Sequence, residues 1–286
     1  MTYTIPAHGK LNLTLDIVAK RPDGYHDLEM VMQSVALHDV IHLTCGTGTG
    51  EIALSCDDER LPCNEKNIAY KAAAVFFADT AIPCDGVDIH IEKRIPMEAG
   101  MAGGSADGAA VLRGLCAHYA PDLSLETLET MGAKVGSDVA FCVREGTALA
   151  QGRGERLATL PPMPACHLLI CKPEFGLSTP ALFGRVRLEK LTVRPDTTAM
   201  IQALEQQNLP HIAQHLGNVF EQVLSPEEGA EIFAIKATMA VHGALGVLMT
   251  GSGPTVFGIF KEETALKEGK TALEGNGRQI FITTPV

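Results

Sequence analysis

The sequence predicts an α/β protein built in two lobes. Three observations carry that expectation. The chain has 286 residues, a length that suits two lobes or one large α/β domain. Its first half alternates apolar segments of two-residue period with segments of helical period. Prolines 161, 162 and 164 then cluster where that alternation breaks, which divides the chain into residues 1–160 and 161–286.

The elements follow in order. Leu11, Leu13, Leu15 and Ile17 alternate with Lys10, Asn12, Thr14 and Asp16, the pattern of a strand with one apolar and one polar face. Arg21-Pro22-Asp23-Gly24 is turn chemistry, and residues 28–37 form a second apolar stretch. Asn64 is placed to cap a helix running to about Asp79, with Ile68, Ala72, Val75 and Phe76 on one face. Val87, Ile89 and Ile91 alternate with polar neighbours as another strand. A glycine-rich segment from Ala99 then opens into an Ala/Leu-rich helix ending near His118. Ser124 caps a short helix with Leu125, Leu128 and Met131 inward, stopped by Gly132. Beyond the prolines, residues 167–171 read as a buried strand and helical patterns run from Thr179 to His242. Strands at 247–249 and 255–260 flank Thr250-Gly251-Ser252-Gly253-Pro254. A helix near 262–273 and a strand at 279–283 close the chain.

Composition narrows the function. Apolar residues make up 46% of the chain, an ordinary globular share, and the formal net charge is −11. An anionic chain lacks the basic field that nucleic acid or an acidic membrane requires, so an anionic ligand must be held by a local device. No run reaches 18 apolar residues, and the first residues lack the regions of a secretion signal. The eight cysteines form no C-x-x-C pair, which suits reduced thiols in the cytoplasm. The expected partners are small molecules.

The glycine-rich segment is the strongest chemical signal. Glycines between a strand and a helix let backbone N–H groups converge on a ligand, and the helix behind adds its positive end. Phosphate is the natural occupant, although a glycine-rich turn can also be purely structural. Gly100-x-x-Gly103-Gly104 does not match the dinucleotide fingerprint. Lys10 and Asn12 share a strand face that is either solvated or turned toward a site. Asp138 stands before an apolar helix start and reads as a cap or as a base. His26, after Tyr25, reads locally as a surface-loop residue. Three decoys are set aside. Gly269-Lys270-Thr271 lacks the earlier glycine of a P-loop, His211 and His215 lack the glutamate of a zinc motif, and Ser105 and Ser252 fall outside G-x-S-x-G.

Three segments in this order resemble the GHMP kinase superfamily: Lys10-Leu11-Asn12-Leu13, then the run from Ile95 to Ser105, then Thr250-Gly251-Ser252-Gly253-Pro254-Thr255. With Arg21-Pro22-Asp23-Gly24-Tyr25-His26 added, the chain resembles the branch that phosphorylates a cytidine diphosphate-linked methylerythritol for isoprenoid precursors. The resemblance implies a two-lobed GHMP kinase fold, with an N-terminal lobe like ribosomal protein S5 and a C-terminal α/β lobe, ATP and substrate meeting between them. It implies that Asp138 is the catalytic base and Lys10 its neighbour. Asn12, Tyr25, His26, Thr179 and Phe183 match the substrate positions, with Phe183 expected to stack on cytosine. Asn67 and Lys93 match the adenine positions. Pro96, Met97, Glu98, Ala99, Gly100, Met101, Ala102, Gly103, Gly104, Ser105 and Ala106 match the ATP phosphate loop. Mg²⁺ is expected to arrive with ATP, without a dedicated protein cage, and the chain is expected to be a monomer or homodimer.

The sequence departs from the pattern in a few places. Met101, Ala102 and Ala106 stand where many relatives have Leu, Gly and Ser. His8-Gly9 replaces a more usual Pro-Ala, and Ala140 replaces a Pro. The alternatives are a mevalonate- or homoserine-type kinase of the same superfamily, or a nucleotide-binding regulator without catalysis. Lys10 with Asp138 speaks against the regulator, and Tyr25, His26 and Phe183 speak against the other kinases.

Overall fold

The computed structural model describes residues 1–286. Its first elements are β1 (Thr2–Lys20), β2 (His26–Cys45), β3 (Ile52–Cys56), α1 (Ile68–Thr80), β4 (Val87–Glu92), α2 (Gly103–Tyr119), α3 (Leu125–Val135) and α4 (Val139–Arg144). Next come β5 (Thr147–Gly152), β6 (Arg156–Thr159), β7 (His167–Lys172), α5 (Thr179–Arg185), α6 (Thr197–Glu205) and α7 (Leu209–Gln214). The last are β8 (Gly217–Asn218), α8 (Pro226–Val241), β9 (Gly246–Met249), β10 (Val256–Phe260), α9 (Glu263–Leu273) and β11 (Gln279–Thr283). Short 3-10 helices occupy Leu188–Lys190 and Val219–Val223. No helix is long and apolar enough to cross a membrane.

The chain forms two compact units that interleave along the sequence. Met1–Gly9, His38–Ile95 and Ala102–Glu145 make the first; Lys10–Leu37, Pro96–Met101 and Gly146–Val286 make the second. β1 and β2 therefore each pass from one unit into the other.

In the first unit the sheet order is β3-β4-β2-β1, with β3 parallel to β4 and β4 antiparallel to β2. Small residues let the helices approach closely. Ala69, Ala72 and Ala73 are buried on α1, and a Cβ on Gly108 of α2 would lie 2.8 Å from Ile68 Cγ2 and 3.3 Å from its carbonyl. A Cβ on Gly114 would run into Ile5 and Leu43 of the sheet. The α1 cap corrects the sequence reading. Asn67, not Asn64, is the cap, its side chain accepting from Ala69 N at 2.9 Å, while Asn64 accepts from Lys66 N at 3.0 Å in the turn before.

In the second unit β2 pairs antiparallel with β5, β5 with β6, and β1 runs parallel to β8 at Thr14↔Gly217. A separate antiparallel sheet has the order β11-β7-β10-β9. Its inner strands β7 and β10 are almost wholly buried, as their unbroken apolar runs require. A capping box of Ser225 and Glu228 with Pro226 at the first position starts α8. The helical stretch expected from Thr179 to His242 is broken by β8 and two 3-10 helices. β3, β5 and β6 had no sequence signal of their own strong enough to be expected.

The polar face of β1 is also not solvated. Lys10 is 4% exposed and Asn12 1%, and Asp16 is paired with Arg194 at 2.8 Å. Over residues 9–17 the strand is buried on both faces, and its polar side there is an interior surface.

Gly108→Val tests the α1–α2 approach. Helix propensity favours valine by a few tenths of a kcal/mol, but overpacking costs about 1–3 kcal/mol. Crowding therefore wins, and thermal unfolding of the variant should show a melting temperature lower by roughly 2–8 °C.

Candidate active site

Within the second unit the three signature segments meet. Lys10 extends from β1, and its ammonium donates to Asn12 Oδ1 at 2.6 Å and to the carbonyl of Gly100 at 2.8 Å. The backbone N–H of Lys10 donates to the Met101 carbonyl at 3.0 Å. The N–H of Asn12 donates to Thr250 Oγ1 at 3.0 Å. Gly100 has φ 69° and Gly251 φ 57°, conformations that favour glycine. A Cβ on Gly100 would strike the Thr250 carbonyl; one on Gly251 would lie 2.6 Å from the Gly100 carbonyl and 3.2 Å from Lys10 Nζ. Glycine is thus required at both positions by close backbone approach.

Asn218 secures this arrangement, and the sequence reading missed it because the region was taken as helix. Its amide donates to the carbonyls of Met249 and Gly251, each at 2.8 Å, and its oxygen accepts from Phe220 N at 3.0 Å. No local pattern marks it, because its role depends on carbonyls 31 and 33 residues away.

The residues that the resemblance assigns to the substrate lie in the same unit. Gly24 takes φ 88° in the turn, as expected, and Tyr25 beside it is exposed with its ring 4.9 Å beneath the Arg153 guanidinium. His26 and Phe183 stack with centroids 5.0 Å apart at 19°. Phe220 meets Phe183 edge-on at 4.9 Å. In α5 the core residue is Leu182, and Phe183 is only half-buried. Burial, with the Lys20 charge, pushes the His26 imidazole below its ordinary range. It is neutral at pH 7, with one donor and one acceptor nitrogen. Thr179 Oγ1 shares a 2.6 Å hydrogen bond with Ser252 Oγ of the third segment, a serine that the sequence reading excluded only as a hydrolase nucleophile.

The first unit holds the remaining candidates. α2 begins at Gly103, and no side chain caps it, so the early N–H groups of this helix end have no intrahelical carbonyl. Gly103 does not have a positive φ; the left-handed positions are Glu98 at 50°, Gly100 at 69° and Ala102 at 58°. Lys93 is clasped by Asp39 and by Asp107, the latter at 2.9 Å. Asn67 donates to the Pro62 carbonyl at 2.9 Å in addition to capping α1. Asp138 occupies the cap position of α4 but makes no capping hydrogen bond with its side chain. The capping alternative is thereby corrected: the carboxylate is half-exposed and is not spent on the helix.

Ala102 stands in left-handed conformation where glycine would be unstrained, a cost of about 1–2 kcal/mol for an alanine. Ala102→Gly should raise the melting temperature by roughly 2–4 °C, read by calorimetry.

The chain matches the GHMP kinases N terminal domain over residues 67–146 and the GHMP kinases C terminal domain over 200–279. It is 46% identical over 282 residues to a 4-diphosphocytidyl-2-C-methyl-D-erythritol kinase of Exiguobacterium sibiricum, covering 99% of this chain and 97% of that protein. A protein of the same name from Brevibacillus brevis is 44% identical over 285 residues, covering 99% and 96%. The crystal structure of a 4-(cytidine 5'-diphospho)-2C-methyl-D-erythritol kinase aligns with a TM-score of 0.81 at 30% identity, covering 99% of each chain. A homoserine kinase from Cytophaga hutchinsonii aligns at 0.78 with 17% identity over 99% of this chain and 95% of that one, a likeness of fold alone. With two domain matches in the expected order and relatives similar over nearly their whole length, this chain belongs to the GHMP kinase family.

Proposed function

We propose that this chain transfers the γ-phosphoryl group of ATP to the 2-hydroxyl of 4-diphosphocytidyl-2-C-methyl-D-erythritol, a step toward isoprenoid precursors. The observation that carries the reading is near-full-length identity of 46% and 44% to two kinases of that name. The His26–Phe183 stack beside exposed Tyr25 supports it, since a cytosine ring needs a π-face and a hydrogen-bonding edge.

Phosphoryl transfer has a loose transition state, so positioning and charge stabilisation do most of the work. In this reading Asp138 accepts the hydroxyl proton, a task its uncommitted carboxylate leaves it able to perform. Lys10, oriented by Asn12 and the Gly100 carbonyl, offsets charge on the transferring group. The loop from Pro96 to Ala106 offers N–H donors at the start of α2 to the ATP phosphates. Asn67 and Lys93 face adenine with what their existing bonds leave over: one amide hydrogen and one of three ammonium hydrogens. At 5.0 Å, His26 and Phe183 are at ordinary stacking separation, so cytosine reaches Phe183 when His26 yields its place. No group of three or more His, Cys, Asp or Glu side chains is placed to hold a metal ion. Mg²⁺ would enter on the phosphates of ATP, neutralising their charge.

A division of the sequence near residue 160 is supported by the two family matches, which fall on either side of it, although the compact units interleave across that point and residues 10–37, 96–101 and 146–160 belong to the second unit. Eight free thiols, five of them buried, support a cytoplasmic site of action.

An ADP-release assay with cytidine-diphospho, mevalonate and homoserine substrates tests the reading. Turnover confined to the first is expected; preference for either of the others would overturn it. Asp138→Asn keeps the shape but removes the acceptor, so kcat should fall by about 10²–10⁴ with ATP affinity little changed. Near wild-type turnover would remove Asp138 from the chemistry. Phe183→Ala should raise the KM of the cytidine substrate roughly 5- to 150-fold and leave the ATP KM nearly untouched. A parallel rise in both, with a drop in melting temperature, would make Phe183 an ordinary packing residue.

A further inference from the structure

The first unit contains a buried charge cluster of which the proposed function uses only Lys93 and neither carboxylate. Asp39 is 0% exposed and Asp107 2% exposed, and both hold the ammonium of Lys93. Asp39 spends its other oxygen on the backbone N–H groups of Arg94 at 2.5 Å and Ile95 at 2.7 Å. The second oxygen of Asp107 has no hydrogen-bond partner. Two carboxylates share one ammonium, and burial pushes the Asp107 carboxyl well above its usual range.

Stability does not account for such a cluster. A buried ion group is at best neutral against apolar replacements of similar size, and this one carries an unbalanced carboxylate with an orphaned oxygen. Its position is informative. Lys93, Arg94 and Ile95 end the segment that leads into the phosphate loop, and Asp107 lies in α2, the helix that leads out of it. A Cβ on Gly103, the first residue of that helix, would lie 3.4 Å from Lys93 Nζ and 3.2 Å from Ile95 Cγ2. The helix start therefore lies close beside the clasped ammonium, with no room for a larger residue between them.

We propose that Asp39 and Asp107 are positioning residues for ATP: by clasping Lys93 they clip together the two ends of the phosphate loop and fix the N–H donors at the start of α2. Asp39 holds the incoming segment, residues 93–95, by three bonds, and Asp107 ties the outgoing helix to the same ammonium. The inference rests on the reading that this loop receives the phosphates, and it adds that the loop's geometry is set from outside the loop itself.

Asp107→Ala releases the exit side while leaving Lys93 paired with Asp39, so the remaining charges balance. Its melting temperature should stay within a few degrees of wild type. The ATP KM should rise roughly tenfold with the KM of the second substrate within twofold, because misplaced donors weaken binding of one ligand only. Asp107→Asn, whose amide oxygen still accepts from Lys93, should recover most of that loss. An unchanged ATP KM in folded Asp107→Ala, or equal rises in both KM values with no rescue by asparagine, would overturn the proposal. Should the alanine variant not fold, Asp107→Ser is too short to bridge to Lys93 and is judged by the same two outcomes. Gly104→Val, assayed alongside for ATP binding by calorimetry, separates the premises. If it binds ATP like wild type, the loop reading itself fails. If it loses ATP while Asp107→Ala keeps it, only the clip fails.

Discussion

The approach of the Gly251 backbone to the Gly100 carbonyl, with the Lys10 ammonium donating to that same carbonyl, is the contact on which the second unit's arrangement depends. Three stretches separated by about 90 and 150 residues of chain converge there. No Cβ fits at Gly100 or Gly251, and both take φ values that a side chain would strain. Lys10 then does two things with one charge. It satisfies a loop carbonyl that would otherwise be buried, and it places its positive charge against the glycine-rich loop. Asn12 beside it accepts the same ammonium, and its own N–H is anchored on Thr250. A lysine 4% exposed survives burial because each of these partners is an oxygen at hydrogen-bond distance.

Local devices of this kind answer the problem set by the composition. A chain with a net charge of −11 repels anions at long range, so a polyphosphate must be recognised at contact distance. Backbone N–H groups at a helix start can do this without adding side-chain charge, which is the role proposed for the loop that leads into α2. Lys93 is the contrasting case. Burial works to lower its pKa, but Asp107 and Asp39 more than offset this and hold the ammonium protonated, so its charge is consumed within the protein. Lys93 is thus bound to two carboxylates of its own unit, whereas Lys10 donates to the Asn12 amide oxygen and the Gly100 carbonyl.

What the sequence made legible follows from what each signal measures. Two-residue and helical periods report which face is apolar, and they located β1, β4, α2, α9 and the β9–β10 pair. They did not report that the polar face of β1 is interior, because burial of Lys10 and Asn12 depends on a carbonyl (Gly100) and a hydroxyl (Thr250) supplied 90 and 238 residues away. β5 and β6 are short strands of mixed residues such as Ala, Gln and Thr, whose pairing is decided by β2 rather than by their own pattern. The shift of the α1 cap from Asn64 to Asn67 reflects two asparagines three residues apart, both suited to accept a nearby N–H. The glycine-rich loop was legible as a motif, but the strained residue within it, Ala102, emerged only from the backbone. Asn218, which joins distant turns, carried no such signal, and Ser252 was legible as part of the third segment but not as the partner of Thr179.

Asn218 shows why such residues escape a linear reading. Its amide holds the carbonyls of Met249 and Gly251, and so fixes the turn that packs against Gly100 and Lys10. Its oxygen holds Phe220 N, and Phe220 in turn buttresses Phe183 from its edge. One buried side chain therefore ties the turn beside the lysine to the aromatic pair that is proposed to receive cytosine. Aspartate would keep the bond to Phe220 but present a charged acceptor to two carbonyls, and leucine would leave three backbone groups without partners. Only a side chain with both an acceptor and a two-hydrogen donor, short enough to stay rigid, meets both demands. The two halves of the site in this unit are consequently held in register by hydrogen-bond geometry at one residue, and neither the turn nor the aromatic pair can shift without breaking bonds that support the other.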